Sequence, residues 1–218
     1  MSTKKTIASL DFFSLLSGEQ IDQLLSISVI NRYPKEYVVH YENKENNSLL
    51  FLLSGLAKAY KIDKHNNEIF LHYIYKNSLI SEISNIKQDT LNSFSNVTLL
   101  EDSQILQIDY KRFKEIFLDN GYLYSEFINE IILRSQKLQS LINREFIFNS
   151  VVKVAMMLHD DLEIFNKLKR AEISLILHIQ PETLSRVLNR LKRDNIIDSK
   201  NGKIVILDKE ALMSVCEE

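Results

Sequence analysis

The chain reads as a mixed α+β protein in two parts joined by a long helix, and three observations carry that expectation. Between Ile30 and Ile108, short apolar runs alternate with polar turns every ~8–12 residues, as antiparallel strands do in a small β-barrel or jelly roll. From Tyr122 to about Phe146 the chain reads as one helix of ~25 residues carrying an apolar stripe. From Leu168 to Leu207 it reads as two short helices with a tight turn between them, followed by a β-hairpin.

Ahead of the barrel, Phe12, Phe13, Leu15, Leu16, Ile21, Leu24 and Leu25 recur at helical spacing, so residues 6–29 are expected to be helix and turn. Ser17 and Gln20 have the spacing of a capping box. The strand candidates are Val38 to Tyr41, Leu49 to Leu53, Ala57 to Ile62, Glu68 to Ile74, Ser95 to Leu99 and Ser103 to Ile108. The chain has four glycines, so turns such as Asn66-Asn67 must rely on asparagine's tolerance of positive φ. A helix is expected to begin at Tyr110.

In the long helix, Tyr124, Ile131 and Leu138 fall seven apart, and Phe127, Ile128, Leu141 and Ile142 supply the other half of a seam. Arg134 and Ser135 interrupt it. Such a stripe suits pairing with a second copy; an ordinary surface helix packed on the barrel is the other reading. Another helix is expected over 150–165. The resulting boundaries are 1–120 for the barrel with its flanking helices, 121–146 for the dimerisation helix and 147–218 for the C-terminal domain.

The formal net charge of −2 excludes a globally basic protein but not a local basic surface. The single cysteine, Cys216, cannot build a disulfide framework, a zinc knuckle or a four-cysteine iron–sulfur cluster. The polar start Met1-Ser2-Thr3-Lys4-Lys5 leads into no signal-peptide core, and the most apolar stretch, Leu49 to Ala57, is about half of a membrane span. A soluble, cytoplasmic protein is expected.

The chemistry concentrates in the C-terminal segment. Pro181 stands where a first helical residue is favoured, and Leu184, Val187, Leu188 and Leu191 then form an inward stripe. Glu182, Ser185, Arg186 and Asn189 fall on the opposite side near the helix start, where side chains reach base edges in a major groove. Between Lys167 and Lys203 stand nine basic residues, among them Lys169, Arg170, Arg190, Lys192, Arg193 and Lys200, against Glu172, Glu182, Asp194 and Asp198. That excess suits phosphate neutralisation. Asn201-Gly202 is a two-residue hairpin signal between Ile196-Ile197-Asp198 and Lys203-Ile204-Val205-Ile206.

The run AEISLILHIQPETLSRVLNRLKRDNIID, with the hairpin after it, resembles the winged helix-turn-helix of the Crp/Fnr family of transcription regulators. NRYPKEYVVHYENKENNSLLFLLSGLAKAYKIDKHNNEIFLHYI resembles that family's cyclic-nucleotide-binding-like barrel, and SQILQIDYKRFKEIF its closing strand and following helix. Gln180 to Arg186 looks closest to the nitrogen-oxide-responsive, Dnr-like branch. The resemblance implies a homodimer on double-stranded DNA, an inverted repeat with TTGA-like half-sites, and base reading by Glu182, Ser185 and Arg186. Lys169, Arg170, Thr183, Asn189, Arg190, Lys192 and Lys203 are the candidates for the DNA backbone. RNA polymerase is an expected partner if the protein activates.

The family's nucleotide cassette has a glycine, a glutamate and an Arg-Ser pair. Here Glu82 matches, Ser81 replaces the glycine, and Asn92 or Ser93 stands where arginine is expected. A cyclic phosphate would lack its bidentate partner, which argues against cyclic-nucleotide binding. Haem stays open, with His40, His65, His72, His159 and His178 as available axial ligands. His178 falls in the helix-turn-helix turn, where the family often has glycine. The absence of any His-x-His pair argues against a cupin-type metal site. A ligand-binding regulatory subunit acting on a protein partner is the alternative, but it predicts no basic reading helix. No catalytic triad order, phosphate loop or metal cluster marks an enzyme.

Overall fold

The computed structural model describes residues 3–200 and 202–216. The chain divides into two compact units, Met1–Lys137 and Leu138–Glu218.

The first unit opens with α1 (Thr3–Ala8), a single 3-10 turn at Asp11–Phe13 and α2 (Gly18–Ser26). Ser17 caps α2: its hydroxyl accepts from Gln20 N–H, and the Gln20 side chain accepts from Ser17 N–H. The strands follow as β1 (Ser28–Tyr33), β2 (Val38–His40), β3 (Glu45–Asn46), β4 (Ser48–Ser54) and β5 (Ala57–Ile62). Then come β6 (Glu68–Ile74), β7 (Ser78–Leu79), β8 (Leu91–Asn92), β9 (Asn96–Leu99) and β10 (Ser103–Asp109). They form two four-stranded sheets, ordered β1-β10-β4-β7 and β2-β9-β5-β6, with a small β3-β8 pair. The paired strands are antiparallel, and the two sheets form a jelly roll rather than one continuous ladder.

The run Leu49-Leu50-Phe51-Leu52-Leu53 explains the layering. A strand wet on one face alternates apolar with polar; a continuous apolar run needs cover on both. Leu50 and Leu52 enter a core with Ala57, Ala59, Val97, Leu99 and Ile105 from both sheets. Leu49, Phe51 and Leu53 point the other way, into a second core with Leu106 and Ile108. Residues of the helices and the link between α1 and the 3-10 turn cap that core: Ile7, Leu10, Phe12, Phe13, Leu24, Tyr110, Phe113 and Phe127. Phe12 meets Phe13, Phe51 and Phe127 edge-on, at centroid distances of 5.0, 5.2 and 6.1 Å.

At the β5–β6 turn, Asn66 takes φ +65, and the Asp63 carboxylate accepts from His65 N–H and Asn67 N–H. Strand β1 is a departure from expectation. It lies at a sheet edge with only partly buried side chains, so Asn31 and Arg32 hide its period.

After β10 come α3 (Tyr110–Phe113), a π-helical turn over Lys114–Leu118, and α4 (Tyr124–Ile142), which ends in another π turn at Asn143–Ile147. The second unit contains α5 (Ser150–Asp160), α6 (Leu162–Lys167), α7 (Arg170–Leu177), α8 (Pro181–Arg193), β11 (Ile197–Lys200), β12 (Lys203–Ile206) and α9 (Lys209–Cys216). The helix expected over 150–165 is broken at Asp161, whose φ of −132 and ψ of 38 leave helical geometry. Helix α9 was not anticipated; it packs on α5 and buries Leu212. Asn166 fastens the hairpin to α6: its Nδ2 donates to Ile204 O at 2.9 Å, and its Oδ1 accepts from Ile204 N–H at 2.7 Å. Gly202 has φ +77; Asn201, the other residue of the expected turn, lies outside the described residues.

Two substitutions test these supports. Phe127→Ala should cost about 3–5 kcal/mol in denaturant unfolding of the first unit. Phe146→Ala, at a side chain 85% exposed, should stay within about 0.5 kcal/mol. Asn166→Ala should cost about 1–3 kcal/mol in the second unit, because it strands the Ile204 amide and carbonyl together. Hydrogen exchange at Ile204 should accelerate with it.

Candidate nucleic-acid interface and barrel interior

Helices α7 and α8 are set by two backbone devices. His178 ends α7 in the left-handed region at φ 50, ψ 47, the conformation that glycine adopts most cheaply. Pro181 then starts α8 at its first turn. Leu184, Val187, Leu188 and Leu191 are buried, so the opposite face is turned outward by geometry. Pro181, Glu182, Ser185, Arg186, Asn189, Arg190 and Arg193 line one open concavity there.

Arg186 Nη2 donates to Thr183 Oγ1 at 3.2 Å, one turn back along α8. Arg190 and Arg193 lie 3.7 and 3.5 Å from the Asp194 carboxylate, exposed pairs of small energy that a phosphate can replace. Lys192 is half-buried, whereas Lys169 and Arg170 are exposed at the start of α7. The Arg170 guanidinium lies 5.1 Å from the centre of the Phe165 ring. In the hairpin, Lys200 and Lys203 are direct cross-strand partners. Two like charges placed opposite each other repel, and an anion beside them would relieve the repulsion.

On α4, Tyr124, Ile128, Ile131, Leu138 and Ile142 are exposed, and Leu141 is half-buried. Phe127 corrects the expected seam. It is 1% exposed and belongs to the barrel-side core, because its ring packs against Phe12 and Phe113.

The barrel interior differs from a nucleotide cassette. The Ser81 hydroxyl accepts from Leu50 N–H at 2.8 Å and donates to Ser48 O at 3.2 Å, so it ties the cassette to β4. Glu82 accepts from Phe94 N–H, from Ser95 N–H at 3.1 Å and from the Ser95 hydroxyl at 3.0 Å, which makes it a turn-holding carboxylate. Asn92 is exposed and Ser93 buried, and no arginine stands between Leu91 and Ser95. These residues do not fit a cyclic phosphate.

Arg134 was legible only as a break in the α4 seam. Its Nη2 reaches the carbonyls of Leu79 and Ile80, at 3.4 and 3.5 Å, and that of Ser81. His40 lies buried nearby, and burial lowers its pKa, opposed by Glu82 and reinforced by Arg134. Among the described residues no group of three or more His, Cys, Asp or Glu side chains is placed to hold a metal, and no helix is long and apolar enough to cross a membrane.

Comparison with known proteins agrees with this anatomy. A family model described as a cyclic nucleotide-binding domain matches residues 30–120, and one described as a Crp-like helix-turn-helix domain matches residues 153–215. The chain is 23% identical over 199 residues to the cAMP-activated global transcriptional regulator CRP of Salmonella typhimurium, covering 86% of this chain and 93% of that one. In fold it is similar to a putative crp/fnr-family transcriptional regulator from Eubacterium rectale, with a TM-score of 0.70, 18% identity, and 95% and 98% of the two chains covered. It is similar also to DNR from Pseudomonas aeruginosa, with a TM-score of 0.51, 22% identity, and 97% and 96% covered. With the sensor-type barrel and the helix-turn-helix in this order, and relatives that are transcription regulators, the chain belongs to the Crp/Fnr family of DNA-binding transcription regulators.

Proposed function

We propose that this regulator works as a homodimer that reads an inverted repeat with TTGA-like half-sites and takes its signal in the jelly-roll unit. The single observation that carries the reading is α8. Its buried stripe leaves Glu182, Ser185 and Arg186 together on the open face of its first turns. An arginine there offers two N–H donors to guanine O6 and N7, and a glutamate accepts from a cytosine amino group. Ser185 contacts a neighbouring base. Lys169, Arg170, Thr183, Asn189, Arg190, Lys192 and Lys203 engage phosphates. The Lys200–Lys203 pair supports this role for the hairpin, since its repulsion falls when an anion binds.

Dimerisation uses α4 through Tyr124, Ile128, Ile131, Leu138, Leu141 and Ile142. An exposed apolar stripe at heptad spacing is a poor match for water and a good one for its own copy. A two-fold pair then sets the two reading helices on half-sites about one helical turn apart. The boundaries 1–120, 121–146 and 147–218 assign sensing, pairing and reading in turn. RNA polymerase is a further partner where the protein activates.

Binding-site selection on wild type and variants tests the reading face. Arg186→Ala should cost about 1–3 kcal/mol at the selected site and lose discrimination at one guanine. Lys192→Ala should weaken all sequences alike and lower the salt slope by about one. An unchanged preference in Arg186→Ala would place base reading elsewhere. For the pairing face, aspartate at both Ile131 and Leu138 should give monomers in sedimentation, because each charge would be desolvated at a self-contact. A dimer that survives both changes uses another surface.

A further inference from the structure

The barrel interior holds polar groups that DNA reading leaves unused. His40, at the end of β2, is 7% exposed, and neither Nδ1 nor Nε2 has a hydrogen-bond partner. Arg134 reaches in from α4 with Nη2 on the cassette carbonyls, yet its buried Nε–H has no partner. Buried polar groups are normally hydrogen-bonded, so an imidazole and a guanidinium left short near each other are an exception that requires a cause. The groups already satisfied narrow that cause. Glu82 is spent on Phe94 and Ser95, and the Ser81 hydroxyl on β4. What Arg134 Nε–H and a ring N–H of His40 both lack is an acceptor.

We propose that the barrel interior binds a small carboxylate-bearing effector, one oxygen accepting from Arg134 Nε–H and the other from a ring N–H of His40. The proposal rests on the jelly-roll unit being the sensor, and it names what is sensed by chemical class. Two oxygens about one planar carbon suit a guanidinium N–H and a second donor beside it. The same contact ties the effector to α4, so occupancy acts directly on the helix that carries the pairing stripe.

Charge makes the proposal specific. The charged groups facing His40 are Glu82 from the barrel and Arg134 from α4. They offset one another, and Glu130 and Lys137, which face Arg134 along α4, offset one another in turn, so an incoming monoanion is compensated when His40 takes up a proton. In the protein alone burial disfavours that proton. A carboxylate beside the ring favours it. Binding therefore takes up a proton, and affinity falls as pH rises.

Calorimetric titration of the full-length protein with acetate, pyruvate and benzoate tests this, between about pH 6 and about pH 8, where a histidine can change charge. At least one probe should bind once per protomer. Its affinity should fall by up to about tenfold per pH unit, and the heat should depend on the buffer's own ionisation. Arg134→Gln should weaken that probe by about tenfold or more, and His40→Asn should remove the pH dependence. Should Arg134→Gln fail to fold, Arg134→Lys keeps the charge while losing the Nε geometry and should still weaken binding. No response to any of the three probes overturns the proposal, as does pH-independent binding, or equal affinity in the variants. A crystal structure with only water, or a side chain of the second copy, at both nitrogens overturns it too. DNA binding by the same preparation, measured with and without the probe, separates the two levels: DNA binding without a carboxylate response sinks the effector alone, and no DNA binding under either condition sinks the reading beneath it.

Discussion

Strand β4 has no wet face. Leu50 and Leu52 need the second sheet, while Leu49, Phe51 and Leu53 need the helices. Satisfying both at once requires three layers, and the rest of the first unit supplies them. The helices α1 and α2 exist less for their own helical stability, since short helices are marginal in water, than because their apolar stripes close this face. Phe127 at the start of α4 joins the same core, so α4 is anchored to the barrel by a ring that meets Phe12 edge-on and stacks on Phe113.

That anchoring explains how α4 serves two environments. Tertiary packing spends Phe127 on the core and turns Arg134 toward the cassette carbonyls. The stripe from Tyr124 to Ile142 stays outside. An uncharged residue in place of Arg134 would leave the carbonyls of Leu79 to Ser81 without their cation. Position along one helix thus gives Phe127 to the core, Arg134 to the cassette carbonyls and the apolar stripe to the exposed side.

In the second unit the same logic produces the outward face of α8. Four buried aliphatics fix the rotation of α8, and the outward residues follow from it. His178 accepts a backbone conformation that costs an L-residue roughly 1 kcal/mol so that α8 can leave α7 at the required angle. Asn166 ties the hairpin to α6 through both of its amide atoms, which positions the strand that carries Lys203.

Local sequence determined the β4 to β6 strands, the capping box at Ser17, the start of α8 at Pro181 and the outward set Glu182, Ser185 and Arg186. Each depends on neighbours in the chain, and local spacing records such dependence. The edge strand β1, the break at Asp161 and helix α9 were not legible, because partial burial or packing on a distant element decides them. The same limit applied on α4. Phe127 and Ile128 look equivalent in the seam, and only the rings of Phe12 and Phe113 packed against it decide that Phe127 is core. Arg134 read as an interruption, and the cassette it touches lies more than fifty residues earlier. The sequence by itself determined which side chains share a face; only the tertiary structure decided what each face meets, because burial is a property of the partner surface and not of the residue.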